Sequence, residues 1–181
     1  YIPKLKEDNA RQGFFEKKEF DAIVSKLPEY LKDFVRFAYH TGWRKGEMIS
    51  LTWDLVDLSA KEIRLQTSKN GTGRCLPLEG ELLDLIECRW RARKFESKNG
   101  GTSISHLVFH REGKAVGDYR KAWKTACRKA GCLGKLMHDF RRTAARNMTR
   151  AGVTETVAMS ITGHKTASMF QRYNITSSDD K

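Results

Sequence analysis

The feature that most limits how this chain folds is a hydrophobic period that changes from helical to strand-like partway along and then changes back. Phe20, Ile23, Val24 and Leu27 recur at helical spacing, and after Pro28 the spacing returns in Leu31, Phe34, Val35 and Ala38, before Gly42. Apolar residues three and four apart line one helix face, so two packed helices are expected, leading into a Gly-Trp-Arg turn. From Thr52 the texture shortens. The segments near Trp53 to Leu58, Glu62 to Thr67 and Arg74 to Leu78 are divided by Ser59-Ala60 and Asn70-Gly71-Thr72-Gly73. Brief runs between turn residues predict a small three-stranded antiparallel sheet. Helical spacing resumes at Leu82, Leu83, Leu85 and Ile86, fades through the Ser/Asn/Gly stretch 97–103, and returns with Tyr119, Trp123, Ala126, Cys127 and Ala130. Three short helices close the pattern: one from His138 to a Gly152 cap, one from Thr154 to before Gly163, and one from Thr166 to about Tyr173. The expected fold is mainly α with one small β insert, in the α+β class, its polar glycine-rich loops at the surface.

A chain of 181 residues can bury one real core, and a hydrophobic share of 39% with three prolines is too apolar for a disordered basic tail. Lys+Arg at 34 against Asp+Glu at 22 leaves a net +12, an excess that points to a polyanionic partner, nucleic acid or an acidic membrane surface. No window approaches the roughly 20 apolar residues of a membrane span. Tyr1-Ile2-Pro3-Lys4 lacks the charged-then-apolar plan of a signal peptide, so a soluble, unsecreted protein is expected. Cys75, Cys88, Cys127 and Cys132 form no C-x-x-C pair and lack zinc-knuckle spacing, which reads as four free thiols in a reducing compartment. The start without Met and the polar stretch to about Gly13 read as a linker cut from a longer protein.

Four places carry candidate chemistry. His138 and Arg141 stand three apart in His-Asp-Phe-Arg-Arg-Thr and share a helix face, with Phe140 and Ala144 free to face inward. A guanidinium donates two parallel hydrogen bonds to a phosphate, and an imidazole moves a proton near neutral pH, so the pair suits a phosphodiester. Arg44 lies between two glycines at a helix start, where backbone N–H groups favour an anion. Glu47, three residues on, either pairs with an arginine and fixes its rotamer or answers the helix dipole; a supporting role is expected. Lys69 opens the turn Lys-Asn-Gly-Thr-Gly and projects a flexible cation able to reach a DNA groove or protonate a departing oxygen. His164, in Gly-His-Lys-Thr between two helices, and Tyr173, at the end of the last one, are able to meet in one site, while Met169 and Phe170 are expected to pack inward.

In order and in spacing these pieces resemble the catalytic domain of the tyrosine recombinases, the phage-integrase family, from about Lys18 to Tyr173. The matching motifs are Thr-Gly-Trp-Arg-Lys-Gly-Glu at Arg44, Lys69 followed by Arg74-Cys75-Leu76-Pro77-Leu78, His-x-x-Arg at His138 and Arg141, Thr-Gly-His at His164 and Arg-Tyr at Tyr173. The resemblance implies that Arg44 and Arg141 bind the scissile phosphate, Lys69 acts as general acid, His138 and His164 assist, and Tyr173 is the nucleophile. It implies a site-specific DNA recombinase that cleaves and rejoins strands through a covalent 3'-phosphotyrosine, with no metal, cofactor or ATP. The implied partner is double-stranded DNA at recombination sites. A homotetramer is implied for the full-length protein, with accessory DNA-bending proteins and no membrane, in the cytoplasm at the nucleoid of a bacterium or as a phage product. Residues 1–13 then read as a linker or remnant of an upstream DNA-binding domain, 14–176 as the catalytic domain and 177–181 as a polar tail. Two departures stand out: Arg142 where many members have a second histidine, and Thr162 in place of the leucine often found before Gly-His. Neither is a catalytic position of the family.

The physical chemistry runs parallel to the resemblance. A phenol with a pKa of about 10 is a weak nucleophile at neutral pH and needs nearby cations or a base. Charge developing on a pentacoordinate phosphorus needs preorganised donors, which two arginines supply. Other readings stay open on the residues alone: a type IB topoisomerase that nicks and reseals one duplex, and a noncatalytic DNA-binding module with Tyr173 in the core. A metal-dependent nuclease is weaker, because Asp139 is the one carboxylate offered around His138 and His164.

Overall fold

Two amphipathic helices build the floor of the molecule. In the computed structural model, which describes residues 13–65, 73–97 and 100–173, α1 spans Lys17–Lys26 and α2 spans Glu29–Thr41. The predicted faces are the buried ones: Phe20, Ile23 and Val24 on α1, and Leu31, Phe34, Val35, Phe37 and Ala38 on α2. The Glu16 amide donates to Glu19 Oε2 at 3.0 Å and so answers one unpaired donor at the start of α1. Pro28 holds extended backbone between the helices.

Gly42 ends α2 and is needed there twice over. Its φ of 62° is left-handed, which lets its N–H reach Ala38 O at 2.9 Å. A Cβ at this position would also stand 2.9 Å from Ala144 Cβ and 3.3 Å from Arg141 Cα. The missing side chain therefore lets α6 (Asp139–Arg150) cross α2 at close range.

The β insert follows a short helix, α3 (Lys45–Ile49). Strands β1 (Val56–Asp57), β2 (Glu62–Leu65) and β3 (Arg74–Pro77) form an antiparallel sheet in that order. Val56 faces Ile63, and Ile63 faces Leu76, placing Ile63 and Leu76 together in the core. The expected first strand is shorter than the sequence reading had it, because Trp53–Leu55 is a 3-10 turn. The reason is a competing partner: the Trp53 N–H bonds His106 O at 3.0 Å and Thr52 bridges Leu107.

Beyond α4 (Gly80–Arg91) the structure adds one strand pair flanking the stretch 97–103 expected as a loop and a second one further on, before Tyr119, neither of which the sequence reading contained. Strands β4 (Lys94–Glu96) and β5 (Thr102–Ile104) pair antiparallel, as do β6 (His110–Arg111) and β7 (Lys114–Ala115). These strands are two or three residues long and Ile104 is exposed, so backbone pairing holds them without a hydrophobic period to betray them.

Helix α5 (Arg120–Lys129) packs Trp123, Ala126 and Cys127 inward, and α6, α7 (Glu155–Thr162) and α8 (Ala167–Gln171) complete the described chain. The main core is aromatic. Phe15 stacks on Phe140 with centroids 4.3 Å apart, Phe20 stacks on Tyr39 at 3.9 Å, and Trp123 meets Phe140 edge-on. A second, much smaller cluster joins Ala145 of α6, Ala158 of α7 and Phe170 of α8, with Tyr173 against it. Met169, expected inward, is exposed, because a five-residue helix presents room for one inward side chain and Phe170 takes it. The four cysteines are free thiols. Among the described residues no helix is long and apolar enough to cross a membrane.

Candidate active site

The site begins at the α2–α3 turn. Trp43 is buried beneath it, and its Nε1–H donates to Ile161 O at 2.9 Å, which pins the turn to the end of α7. Arg44 occupies the capping position of α3, where its backbone N–H donates to Glu47 Oε2 at 2.8 Å. Its guanidinium is about half exposed, 3.4 Å from Glu47 Oε1 and 3.5 Å from Gly163 O. Glu47 thus serves both expected ends, since it caps the first turn of α3 and pairs with an arginine, and it also takes a second one, Arg74 Nη2, at 2.8 Å.

Arg141 is the third residue of α6 and is only 3% exposed. Its Nη1 donates to Gly42 O at 2.9 Å and to Thr162 O, so α2 and α7 together fix the guanidinium plane. Its Nη2 is buried with no hydrogen-bond partner. Burial, and then the Arg44 charge, pull its pKa down to about 10, which leaves it cationic at neutral pH. A buried guanidinium without a carboxylate partner among the described residues is costly by itself and is relieved by an anion.

His164 follows Gly163, whose φ of 70° turns the chain out of α7. The ring is 6% exposed, and its Nδ1 lies 2.7 Å from Thr162 Oγ1, whose hydroxyl also reaches Ala158 O at 2.7 Å. One hydroxyl carries one proton. With that proton given to Ala158 O, Thr162 accepts from His164 Nδ1–H, and Nε2 is left as a buried, unpartnered acceptor. Burial first, then the charges of Arg141, Arg44 and Arg74, push the His164 pKa down to about 3.

His138 caps α6, and its Nε2 lies 3.3 Å from the Tyr173 hydroxyl. Burial and the neighbouring Arg141 and Arg142 lower its pKa as well, so the neutral ring is an acceptor for the phenolic proton. The Tyr173 ring stands 4.7 Å from the His164 ring, and the Arg141 and Arg142 guanidinium carbons lie 5.6 Å and 5.5 Å from its centroid.

Five of the residues singled out from the sequence, Arg44, His138, Arg141, His164 and Tyr173, are thus brought together, with Glu47 beneath them. Lys69 lies outside the described residues. Three neighbours were not singled out as site residues. Arg74 stands in the sequence as part of a strand and of the motif that follows Lys69, with no role of its own, and Thr162 and Arg142 stand as departures from the family pattern. A hydroxyl two residues before a histidine was the readable signal for Thr162. Arg74 had no comparable signal, since its partners Glu47 and Gly163 are far away in the chain.

Comparison with known proteins follows the same line. The profile described as the phage integrase family matches residues 13–179. The integrase of Salmonella phage P22 is 26% identical over 180 residues, covering 95% of this chain and 45% of that protein. Among solved structures, XerA recombinase superposes with a TM-score of 0.76 at 19% identity, covering 93% of this chain and 62% of that one. A lambda integrase tetramer bound to a Holliday junction gives 0.68 at 14% identity, covering 90% and 48%. The structural likenesses establish the fold. The chain spans about half the length of the curated relative.

Proposed function

From the premise that this chain belongs to the phage integrase family of tyrosine recombinases, we propose that it is the catalytic portion of a site-specific DNA recombinase. One observation carries the reading: the Tyr173 hydroxyl sits 3.3 Å from Nε2 of His138, beside a buried Arg141 with an unpartnered Nη2. Nucleophile, base and anion clamp are within one phosphate's reach of each other.

In this mechanism a backbone phosphate of DNA docks on Arg44 and on Arg141 Nη2, and its charge stands in for the anion the buried guanidinium lacks. The neutral His138 ring accepts the phenolic proton through Nε2. Tyr173 Oη attacks phosphorus, a P–O bond to tyrosine forms, and the P–O bond to the 5' oxygen of the next nucleotide breaks. Lys69 gives that oxygen its proton. The arginines are already in place for the extra charge of the pentacoordinate state, and this is where they do more than they did for the ground state. One phosphodiester has been exchanged for another, so the 5' hydroxyl of a second strand reverses the step without an energy source. Residues 14–176 would form the catalytic domain, 1–13 a linker or a remnant of an upstream DNA-binding domain, and 177–181 a polar tail. A tetramer on paired sites, accessory DNA-bending proteins and action at the nucleoid in the cytoplasm complete the proposal.

The test is covalent capture. The protein is incubated with nicked duplexes of randomised sequence, whose short cleavage product diffuses away, and separated under denaturing conditions. A DNA-linked band that Tyr173→Phe abolishes is expected. A band that survives the substitution, or none from the unaltered chain, would contradict the reading. Transfer of strands between two labelled duplexes, beyond relaxation of one, separates a recombinase from a topoisomerase.

A further inference from the structure

Arg74 has no part in the reaction just described, yet three parts of the site meet on it. Its side chain is 14% exposed at the start of β3, the strand that follows the segment containing Lys69 in sequence. Nη2 lies 2.8 Å from Glu47 Oε2, a close ion pair whose N–H axis is off the oxygen. The guanidinium carbon stands 4.8 Å over the Trp43 ring. Nη1 rests against Gly163 so closely that a Cβ there would occupy its place. These partners touch the residues proposed to do the chemistry. Glu47 holds Arg44, Trp43 is bonded to Ile161, and Gly163 precedes His164 while its carbonyl receives Arg44 Nη2.

Stability alone is a poor reason for a cation here. Arg74 shares its carboxylate with Arg44, and its charge acts against Arg141 and His164. Its buried Nε has no partner. An apolar strand residue would avoid those costs. A planar, forked guanidinium does what an apolar residue cannot: it stacks on an indole, packs flat on a glycine and pairs with a carboxylate at once. We propose that Arg74 is a positioning residue that holds Arg44 and His164 in register around the scissile phosphate, acting through Glu47 and Gly163. The inference deepens the recombinase reading and rests on it.

The experiment measures single-turnover covalent capture on a duplex selected as above, with duplex affinity and thermal unfolding measured in parallel. Arg74→Gln is expected to melt cooperatively and to bind the duplex within about twofold of the unaltered chain, while the covalent step slows about 10- to 100-fold, the usual loss when a partner that orients a working side chain is removed. Glu47→Gln is expected to slow it comparably. The double variant should be little slower than the worse single one, because both act through one linkage. Additive losses, or an unaltered rate in Arg74→Gln, overturn the inference.

A bridging 5' sulfur in place of oxygen gives a second reading, since a thiolate leaves without a proton. The Arg74→Gln loss should persist on that substrate; recovery there would move Arg74 to the leaving-group side and overturn the inference. Should Arg74→Gln fail to fold, Arg74→Lys keeps the charge but cannot span Glu47 and Gly163. It is expected to be slowed severalfold, and a normal rate would count against the proposal. Failure of the recombinase reading looks different, because then the unaltered chain makes no tyrosine-dependent adduct at all.

Discussion

Two histidines a few ångströms from one phenol are kept neutral by burial first and then by neighbouring arginines, Arg141 among them for both rings. For His138 the lowered pKa sets the acid limb of the reaction. The covalent step is expected to hold steady through neutral pH and to fall only on the acid side of the ordinary imidazole value of about 6.5, where Nε2 takes a solvent proton and no longer accepts one from Tyr173. Rates of adduct formation against pH check this. For His164 the consequence is stability. The unfolded ring binds a proton near 6.5 and the folded ring only near 3, so between those values the unfolded state holds more protons and stability drops as pH falls. Melting temperatures measured from neutral pH to about 4 should decline less steeply in His164→Asn than in the unaltered chain. At Arg141, lysine preserves charge but cannot bond two carbonyls and still offer a donor to phosphate. Arg141→Lys should slow the covalent step by about 100-fold or more, the cost of losing one preorganised donor, as read in single-turnover capture.

Among the elements, α8 is the least secured and carries the nucleophile at its end. Its one fully buried side chain is Phe170, set in a cluster of small alanines apart from the main core. Phe170→Ala removes contacts worth about 3–5 kcal/mol in a typical core. Hydrogen exchange over 167–173 should then lose protection while α1 and α2 keep theirs, and adduct formation should fall with it. Protection of α8 equal to that of the unaltered chain would show that Phe170 is not its anchor. How much was legible beforehand follows from what each element buries. α1, α2, α4 and α5 stripe apolar residues toward one aromatic core, so their periodicity read true within a few residues. β4 to β7 bury little and are held by backbone bonds that any residue makes, and Trp53–Leu55 was claimed by a distant carbonyl. At the site, Arg44, His138, Arg141, His164 and Tyr173 stood in short motifs with recognisable chemistry. Arg74 stood in a motif too, but with no chemistry assigned to it, because its meaning lies in contacts that only the folded chain makes. Met169 misled because a helix of five residues has no room for two inward side chains.

Across the whole molecule the net +12 is the broadest physical constraint on the partner. Neutralising phosphates releases counterions, so affinity for duplex DNA should fall with a slope of about −0.9 per phosphate contacted on a log–log plot against salt. Titration between low and physiological salt checks it, and a flat profile would remove the electrostatic basis for the partner. Binding alone leaves a noncatalytic module possible on charge grounds, whereas the convergence of guanidinium, imidazole and phenol groups is a statement about chemistry. That statement is tested most directly by locating the covalent bond. The captured adduct, digested with nuclease and trypsin, is sequenced by mass spectrometry. A nucleotide joined through its 3' phosphate to the first residue of the peptide beginning at Tyr173 is the expected result, and an adduct on any other residue would contradict it.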